Sequence, residues 1–273
     1  ITARKSVRLV LVAGGSSAGK TTTAKRLSTQ LAVNDRESIS LSTDDYFVGD
    51  ARNPRDENGE LDYETIEAVD TIRLARDLNT LFAGGSVHAR KFDFTRHDGY
   101  DEESLTSIED DGIVIVEGLH ALNPRLIESV DVAFGRFRIF VEPKTQPELF
   151  AFTSLSPDFA RLSRGLVRDN RFRKMDPSAT FRLWPKVLAG ERRWILPFRG
   201  LADAEFDSAL SYELAVLKPY VAGLLERVLS GDPSNEYALF LKRIMDAIHP
   251  TDPVRVPGDS ILRETIGGSQ LDY

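Results

Sequence analysis

The eight residues Gly14 to Thr21, GGSSAGKT, satisfy G-x-x-x-x-G-K-[ST], a spacing suited to binding a chain of phosphates. Glycines let the backbone wrap the phosphates with its amides pointing inward, Lys20 reaches the outer phosphates, and the Thr21 hydroxyl can ligate Mg²⁺. The cradle therefore comprises Gly14, Ser16, Ser17, Ala18, Gly19, Lys20, Thr21 and Thr22, with a nucleotide as the expected ligand. Phosphoryl transfer to an alcohol also needs a group that accepts the hydroxyl proton, and the pair Asp44-Asp45 offers two candidates. Either carboxylate suits that task by position, and a helix cap is the plainer alternative for both. Glu117, emerging from the aliphatic run Ile113 to Val116, is placed to hold Mg²⁺ or its water, unless it only pairs with a neighbouring cation.

A second set of residues could manage charge. Arg161, Arg164 and Arg168 lie at i, i+3 and i+7 and share one helix face, with Arg171 and Arg173 beyond them. Such guanidinium forks can close over transferring phosphates as a lid spanning about 157–176, although a basic helix face on its own is usually solvated surface. Finally, RKFDFTRHDGY from Arg90 to Tyr100 gathers Phe92, Phe94 and His97, either as core rings or as the wall of a small-molecule pocket.

These residues need elements to hold them. Arg8 to Ala13 reads as a short buried strand running into Gly14, and Thr21 to Val33 carries Ala24, Leu27, Leu31 and Ala32 at helical spacing. Ser38 to Ser42 reads as a second strand ending at the acidic pair, followed by a polar loop rich in turn residues. One long helix is predicted over Glu64 to Phe82, stopped by Gly84 and Gly85. Strands follow at Ser86 to Phe94, Ile113 to Val116 and Phe137 to Val141. From Pro157 to Leu229 the pattern is mostly helical, and Pro219 is expected to kink or end the segment Leu210 to Leu229. A further helix is expected over Asn235 to Ile248, then a Pro-rich tail. This alternation predicts an α/β, three-layer fold with a mostly parallel sheet, a helical lid and a C-terminal helical extension. The expected division is a main domain over 1–230 and an extension over 231–273.

Composition narrows the function classes. The 273 residues hold 35 Lys and Arg against 42 Asp and Glu, a formal charge of −7, which argues against coating nucleic acid. Cysteine is absent, which removes disulfides, thiolate nucleophiles and Cys-ligated metals and is consistent with a cytoplasmic setting. No apolar run approaches the ~20 residues that span a bilayer. No guanine-reading Asn/Thr-Lys-x-Asp string occurs, which subtracts the GTP-switch reading.

In this order the pieces GGSSAGKT, STDDYF, FDFTRH, IVIVEG and ARLSRGLVRD resemble the uridine kinase and phosphoribulokinase family of P-loop kinases. The resemblance implies ATP- and Mg²⁺-dependent phosphorylation of a small-molecule hydroxyl, most simply the 5′-hydroxyl of a pyrimidine nucleoside. It implies Asp44 as the proton acceptor, with Phe47, Phe92 and His97 beside the nucleoside and Arg161 at the substrate. The family's lid pattern falls on Arg161, Arg164, Arg168 and Asp169, with Gly165 where the family carries an arginine, and a later family arginine falls on Arg173. NPRDENGELDYE, WPKVLAGERRWILPF, YELAVLKPY and SILRETIGGS resemble a divergent uridine kinase-like branch. In that branch the kinase module often follows a region similar to accessory domains of threonyl-tRNA synthetase, so the start at Ile1 is consistent with a preceding domain. A homo-oligomer stays open. Two other readings stand beside this one: a kinase for a pentose phosphate or polyol, and a non-catalytic, ATP-responsive regulatory module.

Overall fold

A computed structural model describes residues 1, 6–131, 134–145, 148–150, 153–154 and 156–271. In chain order the strands are β1 (Val7–Ala13), β2 (Ser38–Ser42), β3 (Val87–Asp93), β4 (Asp98–Thr106), β5 (Ile113–Glu117), β6 (Gly135–Glu142), β7 (Glu148–Phe150), β8 (Thr153–Ser154) and β9 (Ala204–Asp207). The helices are α1 (Lys20–Val33), α2 (Thr71–Phe82), α3 (Pro157–Phe172), α4 (Pro177–Trp194), α5 (Glu213–Gly231), α6 (Glu236–Asp246) and α7 (Ile261–Ile266). The chain forms two compact units. The first holds Ile1–Gly15, Thr23–Val141 and Ala189–Phe206, and the second holds Ser16–Thr22, Glu142–Leu188 and Asp207–Tyr273.

The first unit is built on a sheet of order β2-β5-β1-β6-β9, in which β1 runs parallel to both β5 and β6, and β2 runs parallel to β5. Ile113 to Val116 are completely buried, as a continuous aliphatic strand in a parallel sheet must be. Each such side chain contributes about 1.5–3 kcal/mol by leaving water. The mostly parallel α/β class read from strand and helix alternation is therefore the observed one. Leu74, Leu78 and Leu81 of α2 join Leu9, Leu11, Val114 and Phe140 in one core.

The long helix expected over Glu64 to Phe82 is corrected to two pieces. Thr65 caps a short 3-10 turn at Ile66–Ala68, and Asp70 separately caps α2 by accepting from the Arg73 amide (3.0 Å). Between them the backbone is drawn out, because the Val48 amide donates to Ala68 (2.9 Å) and the Asp70 amide donates to Tyr46 (2.8 Å). Ile66 and Val69 still reach the core, which is why the helical spacing extended upstream of the real start. Strand β4 pairs with β3 as an antiparallel hairpin and gave no alternation signal, since DGYDEESLT keeps both its faces largely wet.

The second unit packs α3, α5, α6 and α7 around Leu162, Leu166, Leu217, Val221, Leu241 and Leu262. Helix α5 continues through Pro219 rather than ending there. Proline cannot donate to the carbonyl four residues back, and here that carbonyl, on Ala215, accepts from the Thr251 amide instead (3.0 Å). The Pro-rich tail contains α7, capped by Ser260, whose side chain accepts from the Leu262 amide (3.3 Å).

Candidate active site

In the first unit, β1, β2 and β5 end level with one another: Glu117 is in register with Val12 on one side and with Ser42 on the other. The chain leaves this edge at Gly14, Thr43 and Gly118. In parallel sheets such carboxyl ends face the ligand crevice. The Gly118 amide donates to Val12 (3.0 Å), and a Cβ on Gly118 would collide with the Thr43 hydroxyl, so only glycine lets the turn after Glu117 pass so close to the turn bearing Asp44. Glu117 is 5% exposed.

Thr43–Tyr46 is a 3-10 turn whose N-cap is Ser42, the side chain accepting from the Asp44 amide (3.4 Å). The two acids at this point differ. Asp45 accepts from the Phe92 amide (3.3 Å) and pairs with Lys91 (3.7 Å), and burial pushes its carboxyl up against the pull of Lys91. Asp44 is half-buried and takes no part in those bonds. Tyr46 is buried with its hydroxyl donating to Asp77 (3.2 Å), which fixes the floor of the turn.

One turn onward, Phe47 meets Phe92 edge-on (centroids 5.5 Å, 79°) and Tyr63 likewise (5.2 Å, 70°), and Phe92 meets Phe94 (5.2 Å). The hydroxyl of Tyr63 donates to Asp50 and lies 3.5 Å from His97 Nδ1, itself 3.4 Å from Asp50. Burial, then Asp50, pushes the Tyr63 phenol up, so it remains a donor at neutral pH. His97 sits in the left-handed region (φ 52°), where it closes the β3–β4 turn, and its carbonyl accepts from the Asp50 amide (3.2 Å). The structure thus groups Phe47, Phe92 and His97, and adds Tyr63 and Asp50, which sequence reasoning missed. Tyr63 lies in NPRDENGELDYE, a stretch that carries a resemblance but assigns it no role, and no periodicity marks it.

In the second unit the phosphate-loop residues Ser16–Thr22 pack against α3 and α7. Ser17 (φ 58°) and Gly19 (φ 91°) adopt the left-handed conformations that turn successive amides to one side, and Lys20 opens α1, leaving the first-turn amides without helical acceptors. Ser17 Oγ is buried with no hydrogen-bond partner among the described residues. This cradle fits a phosphate chain. Thr21, half-buried at the start of α1, fits as a Mg²⁺ ligand alongside substrate oxygens, as Mg²⁺ commonly takes few protein ligands.

Helix α3 places the lid arginines differently from one another. Arg161 pairs with Asp158 (2.7 Å), donates to the Ser16 carbonyl (3.4 Å) and lies over Trp184 (5.6 Å). Arg164, only 1% exposed, donates to Glu213 (2.6 Å), Ser208 O (2.9 Å) and the carbonyls of Ser17 (3.4 Å) and Ala18 (3.5 Å). Its guanidinium is committed to holding the helix on the loop. Burial pushes the Glu213 carboxyl up even beside Arg164. Arg168 and Arg173 are partly exposed and both reach Asp169 (2.8 and 3.5 Å). Gly165 explains the departure from the family's consecutive arginines, because a Cβ there would lie 3.1 Å from Ser17 Oγ. A side chain there would press on the Ser17 hydroxyl.

Comparison with known proteins gives the family and the fold. Residues 9–150 match the model of the phosphoribulokinase / uridine kinase family. A uridine kinase of Staphylococcus aureus (strain JH9) is 28% identical over 78% of this chain and 93% of its own. A uridine kinase of Lactobacillus helveticus is 30% identical over 42% of this chain, and the match spans 53% of that protein. Among solved structures, the YGR205w protein superposes with a TM-score of 0.50 at 15% identity, covering 72% of this chain and 81% of that one, which supports the fold.

Proposed function

Because this chain belongs to the phosphoribulokinase / uridine kinase family, we propose that it transfers the γ-phosphoryl group of ATP to a small-molecule alcohol, the 5′-hydroxyl of a pyrimidine nucleoside. The observation that carries the acceptor class is the ring cluster of Phe47, Phe92, Tyr63 and His97, set three residues from Asp44 along one turn. Flat apolar walls with a few polar groups suit a base joined to a sugar. The nearby cations Lys91, Arg90 and Arg52 are tied to Asp45, Asp101 and Asp70, which favours a neutral acceptor over a phosphorylated pentose.

In this mechanism the acceptor hydroxyl gives its proton to Asp44 as its oxygen bonds to the γ-phosphorus and the bond to the ADP oxygen breaks in line. Of the two acids, Asp44 is the one left available, since Asp45 is engaged by Lys91 and the Phe92 amide. Lys20 and the loop amides hold the phosphates. Thr21 and Glu117 would hold Mg²⁺, which when bound neutralises charge on the phosphate oxygens. Arg168 and Arg173 meet charge developing in the transition state, whereas Arg164 acts by fixing α3. Arg161, tied to Asp158, serves the same fixing role rather than touching the acceptor.

The test is ADP production from ATP and Mg²⁺ against a panel of nucleosides, sugar phosphates and polyols, with Lys20→Ala as control. Uridine or cytidine should stimulate turnover, and Lys20→Ala should abolish it. Stimulation by a polyol or pentose phosphate alone would replace the acceptor, and ATP binding without any acceptor-dependent turnover would point to a regulatory module.

A further inference from the structure

The reading above leaves the C-terminal segment without a task, yet α7 lies directly on the phosphate loop. Thr22, completely buried in the first turn of α1, donates its hydroxyl to Glu264 Oε2 (2.9 Å). One helical turn earlier, Ile261 packs on Gly19 so closely that a Cβ on that glycine would lie 2.9 Å from Ile261 Cγ2. Helix α7 is itself fixed: Arg263 donates to the carbonyls of Pro253 (3.1 Å), Val256 (3.2 Å from Nε) and Gly267 (3.3 Å), and Leu262 and Ile266 are buried in the core of the second unit. The loop is thus gripped from two sides, by α3 through Arg161 and Arg164 and by α7 through Ile261 and Glu264. Between them remains a void of about 10 Å³, lined by Ser17, Gly19, Arg168, Glu264 and Thr265 among others. It holds a water at most, so α7 meets the loop as a support rather than as a wall of a ligand pocket.

We propose that Glu264 is a positioning residue for the donor site: by accepting the Thr22 hydroxyl it fixes the first turn of α1, and with it the amides that bind the nucleotide phosphates. This rests on the nucleotide-binding reading of the loop. Preorganised donors bind an anion without first ordering themselves, so loosening the turn should show in affinity for the nucleotide and not in the chemical step.

The experiment measures equilibrium binding of ATP-Mg²⁺ and the KM and kcat for ATP on the full chain, with thermal unfolding as a check on folding. Glu264→Ala should raise the ATP Kd and KM about five- to tenfold with kcat nearly unchanged, the loss expected for one partly buried, charge-assisted hydrogen bond. Glu264→Gln, which keeps an acceptor oxygen, should restore most of that affinity. Adding Glu264→Ala to Thr22→Val should cost nothing further, because the two act through one bond. ATP binding unchanged in Glu264→Ala overturns the proposal, and so does tighter binding, which would make the carboxylate a competitor for the phosphate site. Lys20→Ala separates the two layers. If it leaves ATP binding intact the nucleotide reading itself fails, whereas if it abolishes binding while Glu264→Ala changes nothing, only the role of Glu264 fails.

Discussion

The two halves of the candidate machinery are built by opposite means. On the donor side, in the second unit, polar groups are largely buried and mutually committed: Arg164 to Glu213 and three carbonyls, Arg161 to Asp158 and the Ser16 carbonyl, Thr22 to Glu264. On the acceptor side, in the first unit, the polar groups are half-open, with the side chains of His97 and Asp50 51% and 44% exposed. A phosphate chain is the same in every reaction of its class and rewards a rigid cradle, while an acceptor must enter, be read and leave. The difference also assigns roles. On the proposed reading the arginine locked beneath the loop stabilises structure, and Asp44, outside the pairing that engages Asp45 among the described residues, takes the proton.

That contrast breaks most visibly at Arg164. Arg164→Leu leaves Glu213 buried and unpaired and should cost about 3–5 kcal/mol of stability in a urea titration, whereas Arg164→Leu with Glu213→Leu should recover much of it. Equal stability of the single variant and the parent would show that the donor side is not held this way. Next in size is the chemical step: Asp44→Asn should lower kcat at least ~100-fold while ATP binding stays within about twofold. Full turnover by that variant would move the proton to another group. Smaller again, His97→Ala should raise the nucleoside KM about tenfold with the unfolding midpoint nearly unchanged, as befits a half-exposed side chain. A matching rise in ATP KM would deny the separation of the two sides.

The smallest effect is electrostatic. Burial raises the Asp45 carboxyl, so the native state holds its proton more readily than the unfolded chain does. Stability from this group therefore falls as pH rises through the window just above the ordinary carboxylate range. Asp45→Asn should gain on the parent between about pH 4 and pH 7, by under ~1 kcal/mol, since Lys91 offsets part of the cost. A difference that shrinks with rising pH would reverse the sign.

The parts legible in the sequence were those governed by local rules. The phosphate loop needs glycine and a lysine at fixed spacing, and the strand Ile113 to Val116 needs only to be aliphatic, so both stood out. Helix α2 began later than its spacing suggested because Asp70 and the pairing of Tyr46 and Val48 with the preceding segment override periodicity. Tyr63, Asp50 and Glu264 were not legible. They find their partners through contacts distant in the chain, Tyr63 with His97 and Glu264 with Thr22 242 residues away, and no local pattern encodes such a meeting. The lid spacing was visible, but burial alone separates Arg164, which braces the loop, from Arg168 and Arg173.

The most direct measurement follows uridine and ATP-Mg²⁺ by ³¹P NMR with the parent chain and with Asp44→Asn, each first shown to bind ATP. The account predicts a nucleoside 5′-monophosphate signal growing with the parent and essentially none with Asp44→Asn. A parental rate from Asp44→Asn, or a parent that binds ATP and phosphorylates no nucleoside, would contradict it.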